Sequence, residues 1–311
     1  MTARADVGSL SGAVALIGRP NAGKSTLMNR FLAEKVAIVS DKPQTTRQRI
    51  TGILSGERGQ MVFFDTPGVH KPQFRLNRQM VQAAIDALDA ADAVCVVVDA
   101  SAAFGRGDEH LIELVKRTQR PKLLALNKVD LVRKDRLLPL IERYTTHGCF
   151  EEIVPVSALT GDGAELLLDL LWSRLAEGPP RYDPELLTIH TERFLVAERI
   201  REKALALLHD ELPFATAVMI DRWEERENGV LVLTATILVE KPGQKKIVIG
   251  RGGAQIKAIG IAAREDLERY LERPVYLELF VREQRQWRED PRVLGELDAG
   301  VVATETLLEP K

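Results

Sequence analysis

The chain has little cysteine, no long apolar run and almost no net charge, and each shortage removes a class of function. Two cysteines in 311 residues, Cys95 and Cys149, make neither a disulfide framework nor a metal-ligand spacing, which fits a reducing cytosol. No apolar stretch approaches the roughly 20 residues that span a bilayer. The N-terminal region lacks a signal-peptide core, because its apolar run at 13–17 is too short. With 43 Lys and Arg against 45 Asp and Glu, bulk charge announces no polyanionic partner. What remains is a chain 45% hydrophobic and 28% charged, soluble and long enough for two domains.

Against that background one octapeptide stands out. Gly18, Arg19, Pro20, Asn21, Ala22, Gly23, Lys24 and Ser25 match the phosphate-binding pattern G-x-x-x-x-G-K-[ST]. The apolar run at 13–17 precedes it as a strand, and a helical stretch at 26–33, opening with Thr26, follows. Gly18 and Gly23 free the backbone to turn N–H groups toward phosphates. Lys24 is placed to reach the β- and γ-phosphates, and the Ser25 hydroxyl to ligate Mg²⁺.

The base is named further along. Asn127, Lys128, Val129 and Asp130 follow an apolar run at 123–126. A carboxylate at Asp130 can accept two hydrogen bonds from the ring N–H and exocyclic amine of guanine; adenine offers no such pair. The aliphatic stem of Lys128 can lie along the base. Ser157, Ala158 and Leu159, after a strand-like run at 152–156, would offer backbone N–H groups to the guanine carbonyl. Asp65, Thr66, Pro67 and Gly68 follow another strand-like run, with Asp65 placed to hold Mg²⁺ and the Gly68 N–H to sense the γ-phosphate. Between lie Gln44, Thr45, Thr46 and Arg47, where a threonine can ligate Mg²⁺ when GTP is bound; Thr46 is favoured over Thr45.

These motifs resemble those of the translation-factor-related GTPases over residues 8–175, which implies GTP hydrolysis assisted by Mg²⁺ on a mostly parallel sheet. Val69 stands where many such enzymes place a water-orienting glutamine. It cannot hydrogen-bond, so hydrolysis is expected to be slow. His70 reads as an exposed loop residue. In related GTPases an asparagine at the place of Asn21 helps hold K⁺; here that role and a merely loop-stabilising one both stay open. Lys24, Asn21, Thr46 and Gly68 are thus the catalytic candidates, and Ser25, Thr46 and Asp65 the metal ligands.

After a Gly-Pro-Pro break at 178–180, a linker runs to 188. Helical periodicity at 192–208 and β-rich runs at 215–221 and 230–240 follow, the runs flanking a hairpin signal at Asn228 and Gly229. Next come Ile249, Gly250, Arg251, Gly252 and Gly253, a helix to about 271, and a strand at 275–281. This order resembles a KH RNA-binding domain of the bacterial topology, a smaller α+β unit whose G-x-x-G loop clamps a nucleotide backbone. Residues 241–264 carry six basic and no acidic residues, among them Lys245, Lys246, Arg251 and Lys257.

A GTPase at 8–176, a linker at 177–188, a KH domain at 189–297 and a disordered tail at 298–311 resemble the Era family of bacterial ribosome-assembly GTPases. The resemblance implies bound GTP or GDP with Mg²⁺, attachment to the 3′ end of small-subunit ribosomal RNA, a part in small-subunit maturation, peripheral association with the inner face of the membrane, and a monomer. The competing reading is a signalling switch whose C-terminal module docks a protein. The uninterrupted basic stretch argues against it.

Overall fold

Residues 13–17 are buried on both sides, as a strand in the middle of a helix-covered sheet must be. Val14 and Leu16 point into one apolar core; Ala13, Ala15 and Ile17 point into another. The computed structural model describes residues 9–42, 44–69, 74–298 and 300. His70 and residues 299 and 301–311 of the expected tail lie outside the described residues.

The first unit runs β1 (Leu10–Gly18), α1 (Lys24–Leu32), β2 (Ile50–Gly56), β3 (Gly59–Asp65), α2 (Arg75–Ala90), β4 (Ala93–Asp99), α3 (Arg106–Val115), β5 (Lys122–Asn127), α4 (Leu137–Thr145), β6 (Glu152–Pro155), α5 (Ala164–Trp172) and β7 (Ala176–Glu177). Strand order is β2-β3-β1-β4-β5-β6, parallel except for the β2–β3 hairpin, and β7 pairs antiparallel with β1. Cys95 lies fully buried on β4.

The second unit runs α6 (Glu192–Leu207), α7 (Leu212–Ala215), β8 (Ala217–Glu225), β9 (Leu231–Val239), α8 (Pro242–Ile249), α9 (Ala254–Leu271), β10 (Val275–Glu283) and α10 (Pro291–Asp298). Its sheet is β10-β9-β8, with β8–β9 antiparallel and β9–β10 parallel. One expectation is corrected here. Ala215, the first residue of the run at 215–221, is instead the last residue of a short helix that carries Pro213 near its start, and the strand begins at Ala217.

The two units are joined by more than the linker. Leu76 and Met80 of α2 share an apolar cluster with Leu238, Trp287 and Leu294 of the second unit. The end of the linker and the residues just after it cover the open edge of β2: Ile53 N donates to Leu187 O (2.8 Å), Thr188 Oγ1 to Thr51 O (2.6 Å) and Thr51 N to His190 Nε2 (3.0 Å).

His190 makes this junction acid-sensitive. Burial lowers its pKa from 6.5 to about 4. Between those values the unfolded chain binds the proton and the folded chain does not, so stability falls as pH falls. The loss from this group reaches about 2 kcal/mol at pH 5. Urea midpoints measured from pH 7 to 5 check it. His190→Gln, whose amide oxygen still accepts from Thr51, should flatten the slope by that amount; an unchanged slope would clear His190 of the effect.

Candidate nucleotide site and nucleic-acid interface

β1 delivers Gly18 to the edge of the sheet, and α1 starts six residues later with its free N–H groups at the same edge. Between them Gly23 has φ of +94°, and a Cβ there would strike the Asn127 amide. The loop therefore lies against the end of β5. A cavity of about 370 Å³ opens at this edge. Its phosphate end is formed by Pro20, Asn21, Gly23, Lys24, Ser25, Thr26 and Gly68. Its other end is formed by Asn127, Lys128, Asp130, Leu131, Ala158 and Leu159, and residues 38–41 with Gln44, Thr45 and Thr46 close one side.

Three oxygen-bearing side chains converge at the phosphate end. Ser25 Oγ donates to Asp65 Oδ2 at 2.5 Å; Thr46 Oγ1 lies 3.0 Å from Ser25 Oγ and donates to the same carboxylate oxygen at 3.3 Å. Thr45 points elsewhere, donating to Lys42 O at 2.6 Å. Asp65 is fully buried, and its Oδ1 has no partner among the described residues. Burial raises its pKa against the opposing pull of Lys24 and the two hydroxyls. An orphaned carboxylate oxygen beside two hydroxyls is a donor set that suits a hard divalent cation. Lys24 Nζ donates to the carbonyls of Gly18 (3.3 Å) and Arg19 (3.1 Å), and burial lowers its pKa to about 8. A phosphate would restore the charge that burial disfavours.

At the other end the roles divide differently from the sequence expectation. The Asn127 side chain does not face the cavity alone. Its Nδ2 donates to Ala22 O (2.8 Å) and its Oδ1 accepts from Ala158 N (2.9 Å), so it laces the phosphate loop to the 157–159 segment. With Ser157 N bonded to Asp162 O, the Leu159 N–H is the donor of that segment without an internal partner among the described residues. Lys128 sits at φ +65° and pairs with Asp99 at 2.6 Å, which fixes its stem beside the cavity. Asp130 is exposed and has no ion pair or side-chain hydrogen bond among the described residues.

Several expected residues stand behind the cavity. Arg19 pairs with Asp108 (2.9 Å), Thr66 donates to Leu16 O (2.8 Å), and Ala22, Pro67 and Ser157 are buried. Val129 N donates to Val156 O. Val69 packs into the core beside α2, so its side chain leaves the cavity altogether. Residues 38–41 and Leu131 were not anticipated. Leu131, 66% exposed beside Asp130, carried a signal only as an apolar residue in a polar turn.

The second surface is the turn between α8 and α9. Gly250 (φ +77°) admits no Cβ, which would meet Gln255 Cβ at 2.6 Å. Gly252 (φ +59°) and Gly253 (φ +80°) differ: the space beside them is open, and conformation rather than crowding calls for glycine. Lys246, Arg251 and Lys257 are exposed around the turn and Lys245 is half-buried; none has a carboxylate within 4.0 Å among the described residues. Arg264, by contrast, is paired with Glu268 at 3.1 Å. Ile249 packs partly against the core, while Ile247 is 55% exposed.

Comparison with known proteins agrees with this division. Residues 13–128 match the family described as 50S ribosome-binding GTPase, and residues 211–288 match the KH domain. GTPase Era of Syntrophus aciditrophicus (strain SB) is 47% identical over 287 residues, covering 92% of this chain and 94% of its own. The chain belongs to the Era family of GTPases. Two solved Era structures superpose on it with TM-scores of 0.90 at 36% identity, covering 94% of this chain and all of theirs. One, from Aquifex aeolicus, is bound to GDP and AlF4⁻; the other is in complex with MgGDPNP and nucleotides 1506–1542 of 16S ribosomal RNA. A P-loop GTPase unit followed by a KH unit is thus the architecture of the family as well as of this chain.

Proposed function

We propose that this Era-family GTPase is a GTP-driven switch that grips the 3′ end of small-subunit ribosomal RNA and times a step of subunit maturation. The observation that carries the reading is the cation cluster around the Gly250–Gly253 turn, with no ion-pair partner among the described residues, in a chain whose solved relative holds a 16S fragment. A bound RNA backbone would take the space left open beside Gly252 and Gly253, and the counterions that Lys246, Arg251 and Lys257 displace from its phosphates would supply affinity. Crosslinking the protein to cellular RNA and mapping the contacts tests it. Contacts scattered without enrichment at the 16S 3′ end would reject it.

Within the nucleotide cavity, Asp130 reads guanine and Leu159 N–H meets its carbonyl. Lys24 and the loop amides hold the β- and γ-phosphates, and Ser25, Thr46 and Asp65 hold Mg²⁺, which supplies charge neutralisation across the phosphates. Gly68 N–H bonds the γ-phosphate. No described helix is long and apolar enough to cross a membrane, so association with one would be peripheral.

Hydrolysis should be slow, because Val69 is turned into the core and offers nothing to a water. Asn21 donates its amide nitrogen to Asp41 O at 2.5 Å, which leaves its oxygen to a monovalent cation beside the phosphates. Single-turnover hydrolysis is therefore expected to run faster in K⁺ than in Na⁺ at equal ionic strength. Equal rates would leave Asn21 a structural link between two loops.

A further inference from the structure

The threonine of the metal cluster is held from outside its own domain. On one side of Thr46, the Thr45 carbonyl accepts a hydrogen bond from Arg201 Nη2 of α6. On the other side, the Arg47 guanidinium donates to Thr216 O (2.7 Å), Pro213 O (3.0 Å) and Phe214 O (3.2 Å) around α7, and lies 5.5 Å from the Trp287 ring centre. Earlier in the same segment, Val39 N donates to Glu202 Oε1 of α6 at 2.9 Å. All of these partners belong to the KH unit, and none of them lines the nucleotide cavity.

The anchors are themselves fixed. Arg201 is 2% exposed and is clamped by Glu198, which accepts from its Nε at 2.7 Å and its Nη2 at 2.6 Å. Glu202 is clamped by Lys35 at 2.5 Å and Lys203 at 2.8 Å. Burying a guanidinium is costly unless its partners are well placed, so this pair is a poor device for stability alone. It is a good device for setting one backbone carbonyl. The peptide it holds is the one that carries Thr46, whose hydroxyl sits 3.3 Å from Asp65.

We propose that Arg201 and Arg47 are positioning residues for GTP hydrolysis: together they suspend Thr46 from the KH unit so that its hydroxyl meets the metal. The proposal rests on the reading of Thr46 as a Mg²⁺ ligand that engages with GTP and not with GDP. Loss of an anchor should then spare GDP binding and damage only what needs the ordered threonine. A purely structural role would weaken both nucleotides alike.

The test uses the full-length chain with Arg201→Met, Arg201→Lys, Arg47→Gln and Thr46→Ala. Single-turnover hydrolysis, its Mg²⁺ dependence, GTP affinity, GDP affinity and RNA affinity are measured for each. Arg201→Met is expected to slow hydrolysis by about tenfold and to raise the Mg²⁺ needed for half-maximal rate. GDP and RNA affinities should stay within about twofold of the parent. Arg201→Lys, which keeps one charged nitrogen to share between Thr45 O and Glu198 but loses the Nε contact that fixes the planar fork on Glu198, should fall between. Arg47→Gln should show the same split, and it carries the test if Arg201→Met fails to fold. Normal hydrolysis in both arginine variants with slow hydrolysis in Thr46→Ala would overturn the proposal and leave the reading of Thr46 standing. Normal hydrolysis in Thr46→Ala as well would overturn both. Parallel loss of GTP and GDP affinity in the arginine variants would reduce the anchors to structural contacts.

Discussion

Asp130→Asn is expected to turn the nucleotide preference of the protein from GTP toward xanthosine triphosphate. Guanine presents two donors, a ring N–H and an amine, to a carboxylate. Xanthine keeps the ring N–H and presents a carbonyl where the amine was, so a side chain with one acceptor and one donor fits it. The substituted amide faces the guanine amine with a donor, and both groups stay unpaired. An unmade hydrogen bond to a charged group costs upward of about 2 kcal/mol, which is more than tenfold in affinity, and two mismatched donors raise it to about a hundredfold. The fold should tolerate the change well. Asp130 is exposed and has no ion pair or side-chain hydrogen bond among the described residues to lose. Asn127 is the opposite case, since its amide holds the phosphate loop and the 157–159 segment together through Ala22 O and Ala158 N. Competition binding with the two nucleotides distinguishes the outcomes, and an unchanged preference for GTP removes Asp130 from the base site.

That contrast shows what sequence could and could not reveal. Phosphate-loop, metal and base motifs are local strings, and each lies at the end of a strand whose apolar residues announce it. The strands at 13–17, 60–64, 93–98 and 123–126 were legible because a sheet covered on both faces needs unbroken apolar runs. Thr45 and Thr46 are set apart only by the direction of their hydroxyls, Thr45 toward Lys42 O and Thr46 toward Asp65. The division of labour among Asn127, Lys128 and Asp130 was not legible. It depends on which groups meet across 105 residues of sequence in the Asn127–Ala22 bond.

The junction between the units was the least legible part. α6 buries Ile200 and Ala204 against the KH sheet, which its periodicity announced, and Val196 beside them, which it did not. Its other face buries Arg199, Arg201 and Glu202, and charged residues at helical spacing look like a solvated surface. Arg47 gave no sign of reaching 166–169 residues down the chain. The short helix at Leu212–Ala215 matters for the same reason, since its carbonyls are what Arg47 binds.

Gly253→Asp should weaken RNA binding sharply while leaving the nucleotide site intact. The structure shows open space beside Gly253 and a φ of +80°, so the argument becomes one of conformation and charge. Asparagine and aspartate both tolerate a left-handed backbone better than other side chains, and they are the same size. Gly253→Asn therefore carries whatever cost shape and strain impose. Gly253→Asp adds one negative charge among Lys246, Arg251 and Lys257, at the place a phosphate would approach. Desolvated like-charge repulsion exceeds the loss of one ordinary contact, so affinity should fall about a hundredfold for the aspartate and about tenfold at most for the asparagine. Lys257→Ala, which removes a single exposed cation, should weaken binding modestly and reduce the salt slope by about one phosphate's worth. GTP affinity should be unchanged in all three, because the nucleotide cavity is lined by residues of the first unit alone. RNA affinity against salt concentration, measured beside GTP affinity, separates these results. Equal RNA binding by the parent and Gly253→Asp would detach the turn from RNA and leave the basic face to a protein partner.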